Sequence, residues 1–532
     1  MTRLSPPFRR IITHDLAPFA FAGIFLSAVL GYILIQGMRL TNGIFIYALD
    51  DAYIHLAMGK QLALHGVWGI RPDEFTPSSS SLLWTVLMAA GWRISSGSVL
   101  IPLICNCLAA LGLLYLINRV LLDYSVGWVG RLLLLAGLIV IIPLPTLIIS
   151  GMEHVMQLAL VLWFCHQGCA EALNPTTAPR SYRLILLAML NTAIRFEGLF
   201  IIAVIAGMFL LARRGRLASA IVIGGLLPVV IAGLISLANG WYFLPASIIA
   251  KTSLQRGGGA ALLPNLANID YAYRVAPLFL LIALANIVAF VLLRLIHQRP
   301  LRRQSSVFHL VAIGITLIHT GYASFGWFHR YEAYLLMLNV LTLVLGLWEV
   351  RGPAPRRVSQ GLQLSGIAVI GFVFWRSLFY IPEVPAAMHD IYRQPYQMAR
   401  FLQTAYPDVP VVLNDIGAVS FFTTSPILDL VGLASLEPLQ LRREDRFSAD
   451  TIAALAAQKQ MRVGLIYEKL FPNTIPPAWI KIGSWTIQNK TVTLFDTVSF
   501  YVFDPANVAE ARSHFQAFSS RLPADIIVQE SP

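Results

Sequence analysis

Two adjacent carboxylates, Asp50 and Asp51, stand shortly after the first long apolar run and open the stretch Asp50-Asp51-Ala52-Tyr53-Ile54. Paired acids in such a place suit general-base work: one carboxylate takes the proton of an acceptor hydroxyl while the other orients a group or stabilises positive charge growing on a sugar. The plainer alternative is a solvated acidic turn at a helix start. Four more polar clusters interrupt apolar sequence: Gly151-Met152-Glu153-His154, Arg195-Phe196-Glu197, the loop from Trp241 to Lys251, and His329-Arg330-Tyr331-Glu332. Each has an ordinary reading beside the chemical one. Glu153 heads a helix expected from residue 155, where the helix dipole favours a carboxylate. Arg195 can pair locally with Glu197, Lys251 can anchor by snorkelling, and the serines Ser78 to Ser81 read as a polar cap before the next apolar segment. There is no Gly-rich phosphate loop and no metal-ligand spacing. Cys105, Cys107, Cys165 and Cys169 lie in or beside apolar runs and imply neither a disulfide framework nor a zinc site.

These residues have to be positioned by a membrane bundle. Of 532 residues, 57% are hydrophobic and 12% charged, more apolar surface than a soluble enzyme of this length can hide. The run at 19–36 is long enough to cross a bilayer and lacks a cleavage site after it, so it reads as an uncleaved first span. Further runs occupy 82–92, 98–118, 132–149, 155–167, 184–194, 198–212, 217–237, 275–293, 307–325, 333–350 and 362–380. The net charge of +12 does not point to nucleic acid, because many of the basic residues sit in short loops between these runs, as cytoplasmic loops do. With the amino terminus inside and 82–92 interfacial or re-entrant, about eleven spans are expected. Arg119, Arg131, Arg213, Arg214, Arg216, Arg294 and Arg303 then fall in cytoplasmic connections and the five polar clusters face outward. The helices flanking Arg195 are short, so their shared tip is expected below the outer surface, where a charged pair must line a cavity or bind something. The stretch 54–64 is expected to lie along the interface. From about residue 385 the chain changes to strand-like runs at 411–413, 463–467 and 491–495 and helical stretches at 395–405 and 451–458, a soluble α/β domain over 385–532 that follows the transmembrane part at 1–384 with its outer loop at 38–81.

Read in order, the chain resembles a known family. Asp50-Asp51-Ala52-Tyr53-Ile54, Phe75-Thr76-Pro77 followed by Ser81-Leu82-Leu83-Trp84, Ser150-Gly151-Met152-Glu153, Arg195-Phe196-Glu197-Gly198, Leu244-Pro245 with Ala250-Lys251, Arg330-Tyr331, and Asn414-Asp415-Ile416-Gly417-Ala418 leading to Leu428-Asp429-Leu430-Val431-Gly432-Leu433 look like the membrane glycosyltransferases that include the terminal arabinofuranosyltransferases of mycobacterial arabinan. The sequence departs from the family where Phe196 replaces a proline more often found after the arginine, and where Met152 replaces leucine.

The resemblance implies a mostly α, polytopic GT-C fold with a C-terminal extracytoplasmic α/β domain, in the cytoplasmic membrane of a bacterium. It implies a polyprenyl-phosphate sugar donor, inversion at the anomeric carbon, an envelope glycan or glycolipid acceptor, and contact with membrane lipid. Asp50 or Asp51 would be the base, with Asp50 favoured because the first acid of this outer loop commonly serves so in GT-C enzymes, and Glu153 a second acid. Arg195, Arg330 and Lys251 would hold the phosphate, with Glu197, His329 and Tyr331 completing the substrate-binding set. No cofactor is required, and a divalent metal ion near the carboxylates is compatible with the chemistry. The outer domain is expected to engage the acceptor and to stand apart from the reaction. Two other classes fit the composition: a transporter or lipid flippase, whose intramembrane charges would line a path open to both sides, and an envelope-assembly protein whose outer domain does the work.

Overall fold

The computed structural model describes residues 6–173, 181–250, 266–296, 298, 300–301, 303–350 and 356–531. Six helical segments among them are long and apolar enough to cross a membrane: Asp15–Leu40, Ile101–Asp123, Gly215–Ala238, Pro277–Leu295, Gln304–Tyr322 and the helical run Arg356–Ala405. Five shorter apolar helices, Leu82–Ser95, Trp128–Ile141, Ser181–Ile194, Gly198–Leu211 and Ala333–Trp348, pack among them. The run expected at 132–149 is broken, because Pro143 and Pro145 cannot supply helical amide donors, and the chain restarts as the six-residue helix Leu144–Ile149.

Helix His154–Leu173 sets the polarity of the bundle. Glu153 and His154 stand at its start, while Glu171 near its end pairs with Arg214 at 2.9 Å. Twenty residues separate the two ends by about 30 Å. The arginine-rich connections are therefore at one end and the acid and arginine clusters at the other.

The helix Asp51–His65 corrects one expectation. It does not lie along an interface with one wet face: Ala52 through Gly59 are all buried, as are Gln61 and Ala63. It is clasped between Leu82–Ser95 on one side and Gly417–Phe422, a helix of the C-terminal domain, on the other. Tyr53, Trp84, Val411 and Trp485 accordingly belong to one hydrophobic cluster that runs from this helix into the sheet beyond.

That sheet has six strands: β1 (Val411–Leu413), β2 (Ile427–Asp429), β3 (Val463–Ile466), β4 (Ile480–Ile487), β5 (Thr497–Val502) and β6 (Ile526–Glu530). Their order is β2-β1-β3-β5-β4-β6, with β1 parallel to both β2 and β3 and the remaining pairs antiparallel. The strand expected at 491–495 is a loop, held because the Thr491 and Val492 amides donate to the buried Asp390 carboxylate; the strand begins six residues later. Residue 385 is no linker either. Pro385 lies inside the helix Tyr380–Ile391, which packs on the first membrane helix, so the chain passes into the C-terminal domain without an intervening coil.

Candidate active site

A cavity of about 50 Å³ opens where the polar clusters meet, lined by Asp51, His55, Ser79, Glu153, Arg195 and Arg330 among others. Five separate stretches of chain supply these six side chains. Asp51 and His55 are four residues apart on one helix, so a single helical face presents both.

Arg330 is delivered by an unusual piece of backbone. Gly326, Trp327, Phe328 and His329 all have positive φ, at 75°, 48°, 63° and 61°, a full left-handed turn in which three residues carry side chains. Each such residue costs roughly 1 kcal/mol or more. The turn is held by the Glu332 carboxylate, which accepts from the Gly326 amide at 2.8 Å, and by His329, which stacks on Tyr380 at 3.7 Å and meets Glu383 at 3.2 Å. His329 thus turns from the cavity that Asp51 and Arg330 line, toward Tyr380 and Glu383. Arg330, 1% exposed, turns inward: its Nη2 donates to Asp51 at 2.6 Å and to the Tyr331 hydroxyl at 3.2 Å, while Nε and Nη1 have no hydrogen-bond partner among the described residues. Tyr331 lies between the two arginines, its ring 5.0 Å from the Arg330 guanidinium and 5.7 Å from that of Arg195.

Arg195 is engaged differently. Its Nη1 donates to Glu153 at 2.5 Å, and its Nη2 and Nε donate to Glu197 at 2.5 and 3.1 Å. Two carboxylates therefore occupy the guanidinium expected to hold phosphate, and Glu197 is one of them. Of the two arginines that line the cavity, Arg330 is the one with donors that meet no partner among the described residues.

The two aspartates also separate. Asp50 turns to the C-terminal domain, where its Oδ2 accepts from the Gly417 amide at 2.6 Å and its Oδ1 from the Ala418 amide at 2.7 Å. A β-carbon at Gly417 would collide with the Asp50 backbone carbonyl and carboxylate, so only glycine permits this approach. Burial, and after it the neighbouring Asp415 carboxyl, raise the proton affinity of Asp50 well above the ordinary carboxylate range; Asp415 is raised too, again chiefly by burial. Asp50 and Asp415 thus form a buried pair of carboxyls at the joint between the two halves of the molecule, and burial favours the protonated form of each. Asp51 is the aspartate that faces the cavity.

Lys251 lies outside the described residues. Among the described residues no group of three His, Cys, Asp or Glu side chains is arranged to hold a metal ion. Three contributors escape a reading of the sequence. Ser78, Ser79 and Ser80 line the cavity although they read as a cap; His55 follows Asp51 at i+4; and Leu433 brings the C-terminal domain into the cavity wall. The loop that carries Leu433 is organised by Asp429, whose carboxylate accepts from the amides of Val431, Leu433 and Ala434 at 2.9, 2.6 and 3.0 Å. The C-terminal domain thus contributes Leu433 to the cavity wall.

Beside the polar cavity lies a second, larger and almost wholly apolar one of about 490 Å³, between helices Leu82–Ser95, Ser181–Ile194 and Gly215–Ala238. Its walls include Leu83, Met189, Leu227, Ile231 and Phe243. Ser79 lines both spaces.

A family model described as a domain of unknown function (DUF8728) matches residues 387–501, less than a quarter of the chain. No curated protein matches. Among solved structures, the arabinofuranosyltransferase AftD from Mycobacteria superposes with a TM-score of 0.45 at 13% identity, over 90% of this chain and 40% of that one. An oligosaccharyltransferase of Archaeoglobus fulgidus gives 0.42 at 13% identity, over 94% of this chain and 74% of that one. This chain spans about two fifths of AftD, and superpositions this loose leave the assignment to the geometry of the site.

Proposed function

We propose that this protein is an inverting membrane glycosyltransferase of the GT-C type that takes a sugar from a polyprenyl-phosphate carrier and passes it to an envelope glycan or glycolipid at the outer face of the cytoplasmic membrane. The observation that carries the reading is the meeting at Ser79 of two unlike spaces, an apolar groove open to an isoprenoid chain and a polar cavity in which Arg330 has unused donors beside a carboxylate. A lipid phosphate has both characters, and a planar guanidinium grips phosphate oxygens in two places. The concentration of arginines at the opposite end of the bundle supports an outward-facing site.

In this mechanism the acceptor hydroxyl oxygen attacks the anomeric carbon from the face opposite the phosphate, and the bond from that carbon to the phosphate oxygen breaks. Asp51 takes the hydroxyl proton. The polyprenyl phosphate leaves with the bonding electron pair, and Arg330 stabilises the charge that develops on it. Arg195, held by Glu153 and Glu197, fixes the cavity wall. The chemistry as drawn needs no resident metal. A cavity of about 50 Å³ is narrower than a sugar phosphate, so binding must widen it.

The test is release of decaprenyl phosphate, followed by mass spectrometry, when purified protein in nanodiscs meets decaprenyl-phosphoryl pentofuranose or hexopyranose and a glycan acceptor. Release by the wild type, lost in Asp51→Asn, is expected. Absence of release with both sugar classes would overturn the reading, as would equal release by the variant.

A further inference from the structure

The cavity has a second pole, away from Arg330. His55 is 5% exposed; its Nδ1 lies 3.2 Å from the Ser79 hydroxyl and its Nε2 3.6 Å from Glu153 Oε2. The other oxygen of Glu153 receives Arg195, while Oε2 has no hydrogen-bond partner among the described residues. A buried carboxylate oxygen without a donor is costly, and in a cavity it marks a place where a ligand supplies one.

Glu153 decides the form of the histidine. A bare Nε2 facing the Glu153 carboxylate that Arg195 holds would set two acceptors against each other, so the favoured tautomer carries its proton on Nε2 and leaves Nδ1 to accept from the Ser79 hydroxyl. The Ser79 oxygen accepts from the Ser81 amide at 2.9 Å, and its own proton can reach either His55 Nδ1 or the Ser81 carbonyl oxygen, each 3.2 Å away. Burial lowers the proton affinity of His55 more than the nearby Glu153 and Asp51 raise it, which keeps the ring neutral. The result is one donor, Nε2–H, and one acceptor, Oε2, side by side but 3.6 Å apart, too far for a good bond to each other.

A hydroxyl group is the complement of that arrangement. It accepts one hydrogen bond and donates one, and an oxygen seated about 2.8 Å from each atom satisfies both. A phosphate oxygen is not a complement, because it has no proton to give and the carboxylate repels it. We infer that His55 and Glu153 form a hydroxyl-recognition subsite that binds the sugar moiety of the lipid-linked donor, separate from the phosphate grip at Arg330, with Ser79 as the residue that positions His55. The inference rests on the proposed donor class and adds the division of the cavity into an anion pole and a hydroxyl pole. It makes His55 a specificity residue that the acid and arginine motifs do not contain.

The experiment compares ligands that differ only in the sugar. Binding of bare decaprenyl phosphate, and of decaprenyl phosphate carrying a pentofuranosyl or a hexopyranosyl group, is measured by microscale thermophoresis on full-length protein in nanodiscs, for wild type, His55→Ala, Ser79→Ala and Arg330→Gln. The subsite requires His55→Ala to weaken the glycosylated lipid about tenfold, the scale of losing a hydrogen bond within a charged pair, and to leave bare decaprenyl phosphate within twofold. Ser79→Ala should shift the same ligand in the same direction by about threefold, and it keeps the test decisive if His55→Ala does not fold. Arg330→Gln should weaken bare and glycosylated lipid alike. Equal loss for both kinds of lipid in His55→Ala, or no loss in either histidine or serine variant, overturns the subsite while the donor reading stands. A wild type that binds no lipid of the set overturns both.

Discussion

Replacing each aspartate by asparagine separates chemistry from architecture. In Asp50→Asn the side chain keeps one oxygen where two backbone amides, Gly417 and Ala418, need one each. One amide is then left facing an NH2 group in a buried place, at about 1–3 kcal/mol. Part of this is offset, since the new NH2 can donate to Asp415 and the acid pair no longer has to hold a proton. The net expectation is a loss of about 1–2 kcal/mol, read as a drop of a few degrees in apparent Tm, with turnover per folded molecule within roughly tenfold of wild type. Asp51→Asn is the opposite case. A neutral oxygen still faces Arg330 Nη2, and the Asp51 side chain is 36% exposed, so stability falls less. Turnover falls by about 100-fold or more, because the group that takes the proton is gone. Both quantities come from one preparation in nanodiscs, by scanning fluorimetry and by release of polyprenyl phosphate. An Asp51→Asn protein within threefold of wild-type turnover would refute the assignment of the base. An Asp50→Asn protein that melts normally yet loses 100-fold would return the base to Asp50.

The arginines should also divide. Arg330→Gln is expected to leave folding nearly intact and to raise the Kd for polyprenyl phosphate at least tenfold, whereas Arg195→Gln strands buried Glu153 beside Glu197 and should destabilise by about 3–5 kcal/mol; a merely weaker phosphate affinity in a stable Arg195→Gln would contradict the strut role. Burial raises Asp429 to about 6 against an ordinary 3.8, the amides around it lowering it only in part. The folded protein then holds a proton that the unfolded chain has lost between about pH 4 and 6, so this residue favours the folded state at low pH and the advantage, roughly 3 kcal/mol, fades as pH rises through 6. The difference in stability between wild type and Asp429→Asn should change across that window, and a pH-independent difference would show the carboxyl to be ionised throughout. For orientation, a cysteine at exposed Glu444 should react with a membrane-impermeant maleimide in intact spheroplasts and one at exposed Arg216 should not, against a background in which the four native cysteines lie in apolar helices; the reverse pattern would place the site in the cytoplasm and remove the argument for a lipid carrier.

What the sequence makes legible is the inventory of charges, and what it hides is their direction. The apolar runs, the sheet domain and the polar clusters at one end of the bundle can all be read from composition and spacing. Two neighbouring residues at a helix start differ by about 100° around the axis, and nothing local says which of Asp50 and Asp51 faces substrate. That is decided by Gly417, more than 360 residues away, whose missing side chain lets a backbone amide reach Asp50. His55 carried a usable signal, since i and i+4 share a helical face, but the stretch reads as amphipathic only if one of its sides is wet, and the C-terminal domain covers it. His329 misleads for a related reason. Adjacent to Arg330 in sequence, it diverges from it because three residues with side chains accept left-handed backbone, a conformation no propensity scale would assign to Trp-Phe-His. Such strain persists only where surrounding contacts over-determine it. Here the Glu332 and His329 contacts do so, and the outcome is the buried Arg330 guanidinium with two donors that meet no acceptor among the described residues, the group to which the proposed mechanism gives the phosphate.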